Sequence, residues 1–476
     1  MLERVYCVAP DEKLINCTAS VCPECLTRLP AQNVRRGNDV YLIKECPDHG
    51  RFSTVIWRGD PAYESWAYPR KTPPAAVCAP EINRGCPFNC GSCSNHHQPS
   101  CGVLLEVTSR CNLGCPVCFA GSDRETAGED PDLSVIEGWY RALIAGGSEL
   151  NIQLSGGEPT VRDDLPDIVS LGHKLGFAFI QINTNGLRLG KEPAYVKKLK
   201  QAGLNCVFLQ FDGTNDTIYE HIRGAAMLEV KEAALRHCAE NEIGVVLVST
   251  LVPGINTGNI GELIHYALQK VPHVRAVHFQ PIGYFGRYPK APQDEDRFTI
   301  PEVIRALEAQ TGGKVKSADF LPPAGENSHC SFHGNFILMP DGSLVPWILD
   351  RFAYYGAKEP SGAGTKYARD FMAKQWCAPQ VPLQSTSRFT AETPKGKPAI
   401  NVSSLDDFLE RVNTYTLSIS GMAFQDAWNL DLDRLRDCQI GIVSPDRRVI
   451  PFCAYNLTSR TGRALYRGKG RDQGFL

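Results

Sequence analysis

Short apolar runs alternate with helix-like segments from residue 103 to about residue 286. The runs are rich in β-branched residues, and between them apolar positions recur with the spacing of an α-helix. The runs cover 103–108, 150–155, 177–183, 206–212, 245–251 and 275–281, and the helical segments include 133–145, 191–202 and 228–240. Strand–helix–strand repeats of this length predict parallel strands with helices packed outside them.

Most of the predicted strands end in two polar residues that are separated by one other residue. The pairs are Glu106/Thr108, Gln153/Ser155, Gln181/Asn183, Gln210/Asp212 and His278/Gln280. Side chains on a strand alternate between faces, so both members of a pair point the same way. In an antiparallel sheet that face would meet water, but helical crossovers cover the outer face of a parallel sheet with apolar residues. We therefore predict an α/β fold, a partial (β/α)6 barrel of the TIM type, whose polar upper interior binds a ligand.

Three cysteines follow the first predicted strand with C-x3-C-x2-C spacing: Cys111, Cys115 and Cys118. Three soft thiolates at one point are one too few for a closed four-cysteine site. They suit a [4Fe–4S] cluster in which one iron lacks a protein ligand and can bind a small molecule. The alternative is a structural zinc site, or a chance arrangement in a chain with many cysteines.

A loop with the sequence Ser155-Gly156-Gly157-Glu158-Pro159 follows the second predicted strand. The two glycines would let the backbone approach a ligand, and Glu158 could accept hydrogen bonds from an ammonium group. Such a sequence alone is a weak signal, because it is often just a turn. One strand after a three-cysteine loop it becomes a strong one.

Together the two loops resemble those of the radical S-adenosylmethionine (radical SAM) enzymes. The resemblance implies that the open iron chelates the amino and carboxylate groups of SAM, and that Gly156–Pro159 contacts its amino group. It also implies a 5′-deoxyadenosyl radical that takes hydrogen from an unactivated carbon, and an electron donor such as a ferredoxin or flavodoxin. The other residues that we predict in the cofactor site are Phe119, Asn183, Gln210, Asp212 and Gln280. Asp212 could equally cap the following helix.

Residues 1–73 contain two short metal-binding patterns joined by a strand-like segment. Cys22 and Cys25 form a C-x2-C pattern, and Cys46 and His49 form a C-x2-H pattern. Four ligands of this kind predict a small zinc-ribbon or rubredoxin-like domain that holds Zn²⁺ or a mononuclear iron. Unligated cysteines in turns are the alternative.

A proline-rich linker over 69–80 leads into a second C-x3-C-x2-C pattern within the segment 74–102. Its cysteines are Cys86, Cys90 and Cys93, and Cys101 follows eight residues later. Four thiolates suit a fully coordinated auxiliary [4Fe–4S] cluster. Zinc could occupy the same ligands. The barrel is then predicted to cover residues 103–290.

Residues 291–476 carry single cysteines at Cys330, Cys438 and Cys453. Isolated buried thiols are common, so by themselves these residues indicate nothing. However, the ribbon cysteines, the 86–101 group, both barrel loops and the segment 446–456 together resemble the archaeal tetraether lipid synthase family, which also includes pterin methyltransferases. The resemblance extends over most of the chain and implies a second auxiliary [4Fe–4S] cluster bound by these three cysteines. Its fourth ligand stays open between Cys377, Cys78, a histidine such as His333, and no protein ligand.

The composition limits the binding partners and the cellular location that we expect for the protein. The chain has 476 residues and a net charge of −2, and it contains no sustained basic run that would indicate nucleic-acid binding. It shows neither a signal-peptide pattern nor an apolar run long enough to cross a bilayer. We therefore expect a soluble cytoplasmic protein. Such a protein could still contact a membrane surface. The 19 cysteines fall mainly into short-spaced groups, which is typical of intracellular metal binding rather than of a disulfide scaffold.

The family resemblance implies an enzyme that joins carbons of a lipid-type substrate, with an apolar tunnel for the alkyl chain. A radical methyltransferase or modifying enzyme acting on a pterin or another small polar ring is the second hypothesis. The polar pairs at the strand ends suit such a ring as well as they suit SAM. A non-catalytic iron–sulfur electron carrier is the third, although a carrier needs neither an open cluster site nor the SAM-type loops.

Overall fold

The structure is a computed structural model. It describes residues 12–67, 85–91, 96–97, 100–122, 129–147, 149–323, 325–347, 363–379 and 405–467. Cys78, Cys93 and the proline-rich linker over 69–80 therefore lie outside the described residues.

The N-terminal region forms a four-stranded antiparallel sheet. Its strands, in spatial order, are β1 (Glu12–Val21), β2 (Arg28–Arg36), β3 (Asp39–Cys46) and β4 (Gly50–Arg58). The turn between β1 and β2 carries Cys22 and Cys25, and the turn between β3 and β4 carries His49, next to Cys46 at the end of β3. The antiparallel pairing brings these two turns to the same end of the sheet.

The predicted barrel is confirmed. Its six parallel strands are β5 (Gly102–Thr108), β6 (Asn151–Gly156), β7 (Ile180–Thr184), β8 (Cys206–Gln210), β9 (Gly244–Leu251) and β10 (Val274–Pro281), which pair in sequence order. The third strand begins later than residue 177, because the Phe177 amide donates to Gly172 O (3.1 Å) and so closes the end of the preceding helix.

Helices lie before, between and after the six parallel strands in the described residues, and those between the strands connect them on the outer face of the sheet. They are α1 (Tyr63–Trp66), α2 (Leu133–Ala145), α3 (Leu165–Lys174), α4 (Leu187–Lys191), α5 (Pro193–Gln201), α6 (Asp216–Arg223), α7 (Leu228–Glu240), α8 (Ile260–Lys270), α9 (Ile300–Gln310), α10 (Ala363–Trp376), α11 (Leu405–Thr414), α12 (Leu432–Arg436) and α13 (Phe452–Tyr455). The single helix predicted over 191–202 is divided between α4 and α5. Glu192 leaves the helical conformation (φ −125°), and Pro193 then starts a new helix.

Strands from the C-terminal region extend the barrel sheet on both sides. Beside β10 lie β13 (Thr416–Met422), which is parallel to it, then β11 (Ser331–Leu338) and β12 (Leu344–Pro346). Beside β5 lie β14 (Ile440–Val443), also parallel, and β15 (Val449–Pro451). The C-terminal region therefore supplies part of the wall that encloses the barrel interior.

Helix α10 covers the barrel at the amino ends of its strands. The Asn151 side chain donates to Arg369 O (3.1 Å), and the buried Arg275 guanidinium donates to Gln375 O (2.9 Å). A Cβ atom at Gly244 would lie only 2.0 Å from Trp376 O, so only glycine permits this approach of β9 to the helix end. The barrel interior is thus closed at the end opposite the predicted site.

The N-terminal sheet packs against residues that follow the barrel. Arg58 donates to Arg297 O (2.8 Å), and the fully buried Lys44 ammonium donates to Ala427 O (2.7 Å). Burial lowers the pKa of Lys44 to about 7, which shows how completely this interface excludes water. Of the helices in the described ranges, none combines the length and the apolar character that crossing a bilayer would require.

Replacing Gly244 with alanine should loosen α10. The added methyl group has no room against the Trp376 carbonyl, so we expect a loss of roughly 1–3 kcal/mol in the free energy of unfolding. Limited proteolysis within residues 363–379 should become faster. The matched control is Gly258→Ala, where an added Cβ meets nothing within 4 Å. Equal behaviour of the two variants would contradict the close contact.

Candidate active site

A cavity of about 380 Å³ lies inside the barrel and extends from the three-cysteine loop towards Trp376 on α10. Most of the residues predicted for the cofactor site line it: Cys111, Cys115, Cys118, Phe119, Ser155, Gly156, Gly157, Glu158, Asn183, Gln210 and Gln280. Pro159 and Asp212 are not among the lining residues. Pro159 instead begins a short 3-10 turn behind the cavity wall.

The three-cysteine loop is held from the opposite side of the barrel mouth by Arg287. The Cys118 and Arg287 backbones exchange two hydrogen bonds of 3.0 Å. The Arg287 side chain also donates to Cys115 O (2.9 Å). The loop that carries the thiols is therefore fixed at both the strand end and the far rim.

The thiols of this loop lie in an environment that opposes their ionisation. Burial raises the pKa of Cys111 to about 12, and Glu158 and the two neighbouring cysteines contribute in the same direction. Burial also raises the pKa of Cys115. Three thiolates need a compensating positive charge here, and an iron–sulfur cluster supplies one. The donor set therefore fits a cluster bound by three thiolates.

The glycines after β6 are required by contact with the chain itself. A Cβ at Gly156 (φ +135°) would lie 2.1 Å from Thr108 O, and one at Gly157 would lie 2.2 Å from Arg110 O. The Gly157 amide donates to Thr108 O (2.9 Å), and the Glu158 amide donates to Arg110 O (2.8 Å). The two glycines thus join the second loop to the backbone that leads into the three-cysteine loop.

The Glu158 carboxylate is almost fully buried and connects the loops after β6 and β7. Its Oε1 accepts from the Thr160 amide (3.0 Å) and from the hydroxyls of Thr160 and Thr184 (both 2.6 Å), while Oε2 accepts from the Asn185 amide (2.6 Å). Burial raises the pKa of this carboxyl group. Because Oε2 receives one donor in these contacts, it has capacity for a second, such as an ammonium group.

Asp212 forms a buried ion pair with Arg223. The Arg223 guanidinium donates to both carboxylate oxygens (2.7 and 2.8 Å), and neither side chain is more than 6% exposed. Arg223 lines the cavity and lies close enough to Cys115 for its positive charge to oppose the rise in the pKa of that thiol. Asp212 does not cap α6, since Asn215 occupies that position. It acts instead by orienting a cation towards a cysteine of the loop.

Lys231 is a second buried cation that the sequence pattern did not reveal. It lies on α7, and its ammonium group donates to Asn185 O (2.6 Å) and Gln210 O (2.7 Å), so it joins the ends of β7 and β8. Burial lowers its pKa to about 7. No local motif marks Lys231 or Arg223, because their roles depend on helices that pack beneath the strand ends.

Amide side chains form a polar band on the cavity wall. Gln181 donates to Asn183 Oδ1 (3.1 Å), and Asn183 donates to Gln153 Oε1 (3.2 Å). Gln210 is different, because its buried Oε1 has no hydrogen-bond partner among the described residues. An unpaired buried acceptor is costly, so this atom is suited to accept a hydrogen bond from a ligand.

The four ligands predicted in the N-terminal ribbon do come together. The ligand atoms of Cys22, Cys25, Cys46 and His49 all lie within 4.8 Å of one another. Nδ1 of His49 is 3.4 Å from the sulfur of Cys46 and 3.6 Å from that of Cys22. These separations suit the edges of one tetrahedral metal site.

The cysteines predicted for the first auxiliary cluster are only partly described. Cys86 and Cys90 are buried, and the hydrogen bond between their side chains lowers the pKa of Cys86. Cys101 is also buried, and its amide donates to Gln439 O (2.9 Å), which places it beside the residue after Cys438. Since Cys93 lies outside the described residues, this ligand set stays a prediction.

The three C-terminal cysteines lie near enough to influence one another's ionisation although they are far apart in sequence, but their sulfur atoms are not all within 4.8 Å of one another. Burial raises the pKa of Cys453 to about 12, and nearby Cys330 adds to the effect. Burial, with the added influence of Cys453 and Cys330, also raises the pKa of Cys438. Arg434 donates to the Cys330 sulfur at 3.5 Å. A second auxiliary cluster at these residues stays a prediction, as does its fourth ligand.

Two of the alternatives for that fourth ligand lie elsewhere in the fold. His333 lines the barrel cavity, and Cys377 packs beside Cys206 under α10. Cys78 is outside the described residues.

Replacing Cys115 with alanine should remove the cluster at the barrel mouth. We expect the reconstituted protein to lose about four iron atoms per chain. SAM cleavage should disappear, while the metal of the N-terminal ribbon stays bound. The readouts are metal analysis and 5′-deoxyadenosine formation. Cys238→Ala is the control, because that thiol is buried in the apolar core. Full iron content in Cys115→Ala would contradict the assignment.

Replacing Asp212 with asparagine should leave the Arg223 charge buried without its partner. We expect a loss of roughly 3–5 kcal/mol in stability, measured as a lower midpoint of thermal unfolding. The control is Asp163→Asn. Asp163 is 90% exposed in its ion pair with Arg188, so this change should cost less than about 1 kcal/mol. Similar losses of stability in both variants would contradict a larger contribution from the buried ion pair than from the exposed one.

Comparisons with known proteins agree with this site. The family model described as the radical SAM superfamily matches residues 105–267, and the HMPTM N-terminal zinc ribbon domain matches residues 14–58. The ribbon is thus of the zinc type, which favours Zn²⁺ over mononuclear iron.

The matched relatives include full-length and partial ones. A 7,8-dihydro-6-hydroxymethylpterin dimethyltransferase from Methanocaldococcus jannaschii is 32% identical over 485 residues, which cover 93% of this chain and 94% of the relative. A probable GTP 3′,8-cyclase from Methanothermobacter marburgensis is 32% identical and covers 57% of this chain and 91% of its own length.

Among solved structures, SuiB from Streptococcus suis bound to S-adenosylmethionine is 14% identical, covers 46% of this chain and 48% of SuiB, and has a TM-score of 0.37. The family assignment depends on the sequence matches. They confirm an enzyme with a [4Fe–4S] cluster and SAM as cofactors, and with zinc in its ribbon. The chain belongs to the radical SAM superfamily, and within it to the family of the Methanocaldococcus relative.

Proposed function

We propose that this chain is a radical SAM enzyme that transfers methyl groups to a pterin or a closely related polar fused ring. The observation that carries the proposal is the match along almost the whole chain to a protein named as a pterin dimethyltransferase. The comparisons do not support carbon–carbon coupling on a lipid, which was the first hypothesis from the sequence. They favour its alternative.

One side of the cavity carries amide groups suited to the edge of a polar ring, while most of the remaining lining is apolar and would contact the faces of a ring. Amides of Gln153, Gln181, Asn183 and Gln210 face the interior, and the Gln210 oxygen is unpaired. Covering these groups with hydrocarbon would leave buried polar atoms without partners, which is costly. A flat heterocycle with donors and acceptors on its edge would satisfy them.

The residues at the barrel mouth suit SAM and its cluster. Cys111, Cys115 and Cys118 would bind the cluster, and Glu158 Oε2 would accept a hydrogen bond from the SAM amino group. Arg223 would stabilise the Cys115 thiolate by its positive charge. When bound, SAM and the reduced cluster supply a radical able to take hydrogen from carbon. The chain holds both in place, and α10 closes the far end of the barrel.

The proposed functions are assigned to four regions along the chain. We assign residues 1–73 to a zinc ribbon, 74–102 to an auxiliary-cluster segment, 103–290 to the radical SAM barrel and 291–476 to a substrate and auxiliary-cluster region. The ribbon sheet ending at Arg58 and the barrel beginning at Gly102 support these boundaries. The electron for SAM cleavage would come from a small redox protein such as a ferredoxin or flavodoxin.

The proposal is tested by assaying anaerobically reconstituted protein with SAM, dithionite and 7,8-dihydro-6-hydroxymethylpterin. We expect 5′-deoxyadenosine together with a pterin heavier by one or more methyl groups, as measured by mass spectrometry. SAM labelled in its methyl group would show whether that carbon enters the product. A parallel reaction with a dialkyl glycerol lipid should give no coupled product. Coupled lipid without any methylated pterin would overturn the proposal.

A further inference from the structure

One wall of the cavity carries a row of polar side chains across neighbouring strands. Strand pairing places Gln210 on β8 opposite Val248 on β9, and Val248 opposite His278 on β10. Ser420 on β13 pairs with His278 on one side and with His333 on β11 on the other. All five residues line the cavity, so they form one layer at a single height in the barrel.

Three of the five residues of this layer, His278, Ser420 and His333, lie after the residues that the radical SAM family model matches. The radical SAM model ends at residue 267, whereas β10, β13 and β11 lie after it. The three-cysteine loop and the Gly156–Gly157 loop follow β5 and β6, at the other side of the sheet. The part of the wall formed by His278, Ser420 and His333 is therefore the part that we assign to the substrate, while Gln280, nearer the end of β10, stays with the cofactor site.

Ser420 fixes the orientation of the His278 ring. The two side chains are joined by a hydrogen bond between Ser420 Oγ and His278 Nδ1 of 2.8 Å. Burial lowers the pKa of His278 to about 4, and that of His333 falls to about 4 for the same reason. Both imidazoles are thus neutral at physiological pH, and a neutral imidazole offers one donor and one acceptor. When the Ser420 hydroxyl donates to Nδ1, the neutral ring carries its hydrogen on Nε2, and Nε2–H of His278 is then the donor that remains.

Gln210 offers the complementary atom. Its Oε1 is buried and unpartnered among the described residues of the chain without ligand, and a turn of the amide towards the cavity that Gln210 lines would let it accept a hydrogen bond. Its strand is two positions from that of His278, about 10 Å between backbones. That spacing leaves room between the two side chains for one edge of a fused ring. Phe208, one layer lower on β8, lies 6.2 Å from the His278 ring and 4.9 Å from Trp376, which provides an aromatic surface below.

We propose that Gln210 and His278 together recognise the edge of the substrate ring that carries an N–H group next to a carbonyl. Gln210 Oε1 accepts a hydrogen bond from the ring N–H, and His278 Nε2–H donates one to the adjacent ring carbonyl. Ser420 is a positioning residue that holds the His278 tautomer. This inference deepens the proposed function and depends on it, because it names the substrate edge that the cavity recognises. The arrangement selects a neutral 2-amino-4-oxo ring over one in which an amino group replaces the carbonyl.

The test measures binding of two ligands to the reconstituted, SAM-loaded protein. The first is 7,8-dihydro-6-hydroxymethylpterin, and the second is its 2,4-diamino analogue, which lacks the carbonyl. The wild-type chain should bind the pterin at least tenfold more tightly than the analogue. His278→Phe should weaken pterin binding by roughly tenfold or more and abolish this preference. Gln210→Leu should weaken pterin binding more than analogue binding, because the diamino ring lacks the N–H group beside the carbonyl as well as the carbonyl.

Controls separate recognition from damage to the fold. Ser420→Ala removes only a hydroxyl group and should reduce the preference for the carbonyl-bearing ring, even if His278→Phe is unstable. His265→Phe, on the outer helix α8, should bind both ligands as the wild type does. Cleavage of SAM without substrate should stay unchanged in His265→Phe, because this residue is on the outer helix and does not line the cavity.

The outcomes distinguish the two proposals. If the wild-type chain binds the pterin but His278→Phe and Ser420→Ala keep both its affinity and the preference over the diamino analogue, the role of His278 is wrong while the proposed function stands. If the wild-type chain cleaves SAM but binds neither ring, the proposed function is wrong, and the edge recognition with it.

Discussion

The site depends on a backbone contact that only glycine allows. At Gly156 and Gly157 the chain passes so close to Thr108 and Arg110 that any side chain would collide with a carbonyl oxygen, at 2.1 and 2.2 Å. Two amide hydrogen bonds form across this contact, and they join the loop after β6 to the residues that lead into Cys111. The buried Glu158 carboxylate extends the connection to the loop after β7. Three strand ends therefore act as one rigid frame for the thiols.

The electrostatic environment of the three-cysteine loop favours the binding of a positively charged group. Burial and mutual repulsion oppose ionisation of the cysteine thiols, and the positive charge of Arg223 offsets this only in part at Cys115. The Arg223 guanidinium donates hydrogen bonds of 2.7 and 2.8 Å to the two Asp212 carboxylate oxygens. This ion pair fixes the guanidinium and balances its positive charge inside the cavity. Farther from the loop, the wall becomes neutral and rich in amides and imidazoles. One end of the cavity is thus suited to a charged cofactor and the other to an uncharged ring.

Much of the fold could be predicted from sequence because it is encoded locally. The period of the apolar residues gave α2 and α7 with their observed limits, and the polar residues at the strand ends anticipated the lining of the cavity. Cysteine spacing likewise located the ribbon site. The glycines were expected to face a ligand, yet their main constraint is the neighbouring backbone. That constraint depends on two strands being adjacent, which no local pattern records.

Other features arise only from tertiary packing. The Arg223–Asp212 pair, the role of Lys231 and the closure of the barrel by α10 join residues on separate elements. The grouping of His278 with Ser420 and His333 also arises from tertiary packing. Ser420 and His333 lie on β13 and β11, which come from the irregular sequence after the barrel. Cys330, Cys438 and Cys453 attracted notice only through family resemblance. Single cysteines have no spacing from which a site can be inferred.

The central claim is that an iron at the three-cysteine loop has no protein ligand and binds SAM directly. It is tested most directly by electron–nuclear double resonance on the reduced, reconstituted protein with SAM carrying ¹⁵N in its amino group. The account predicts a hyperfine coupling from that nitrogen to the cluster, present in the wild-type chain and absent after loss of the cluster cysteines. A reduced cluster at this loop that shows no coupling and keeps the same spectrum with and without SAM would contradict it.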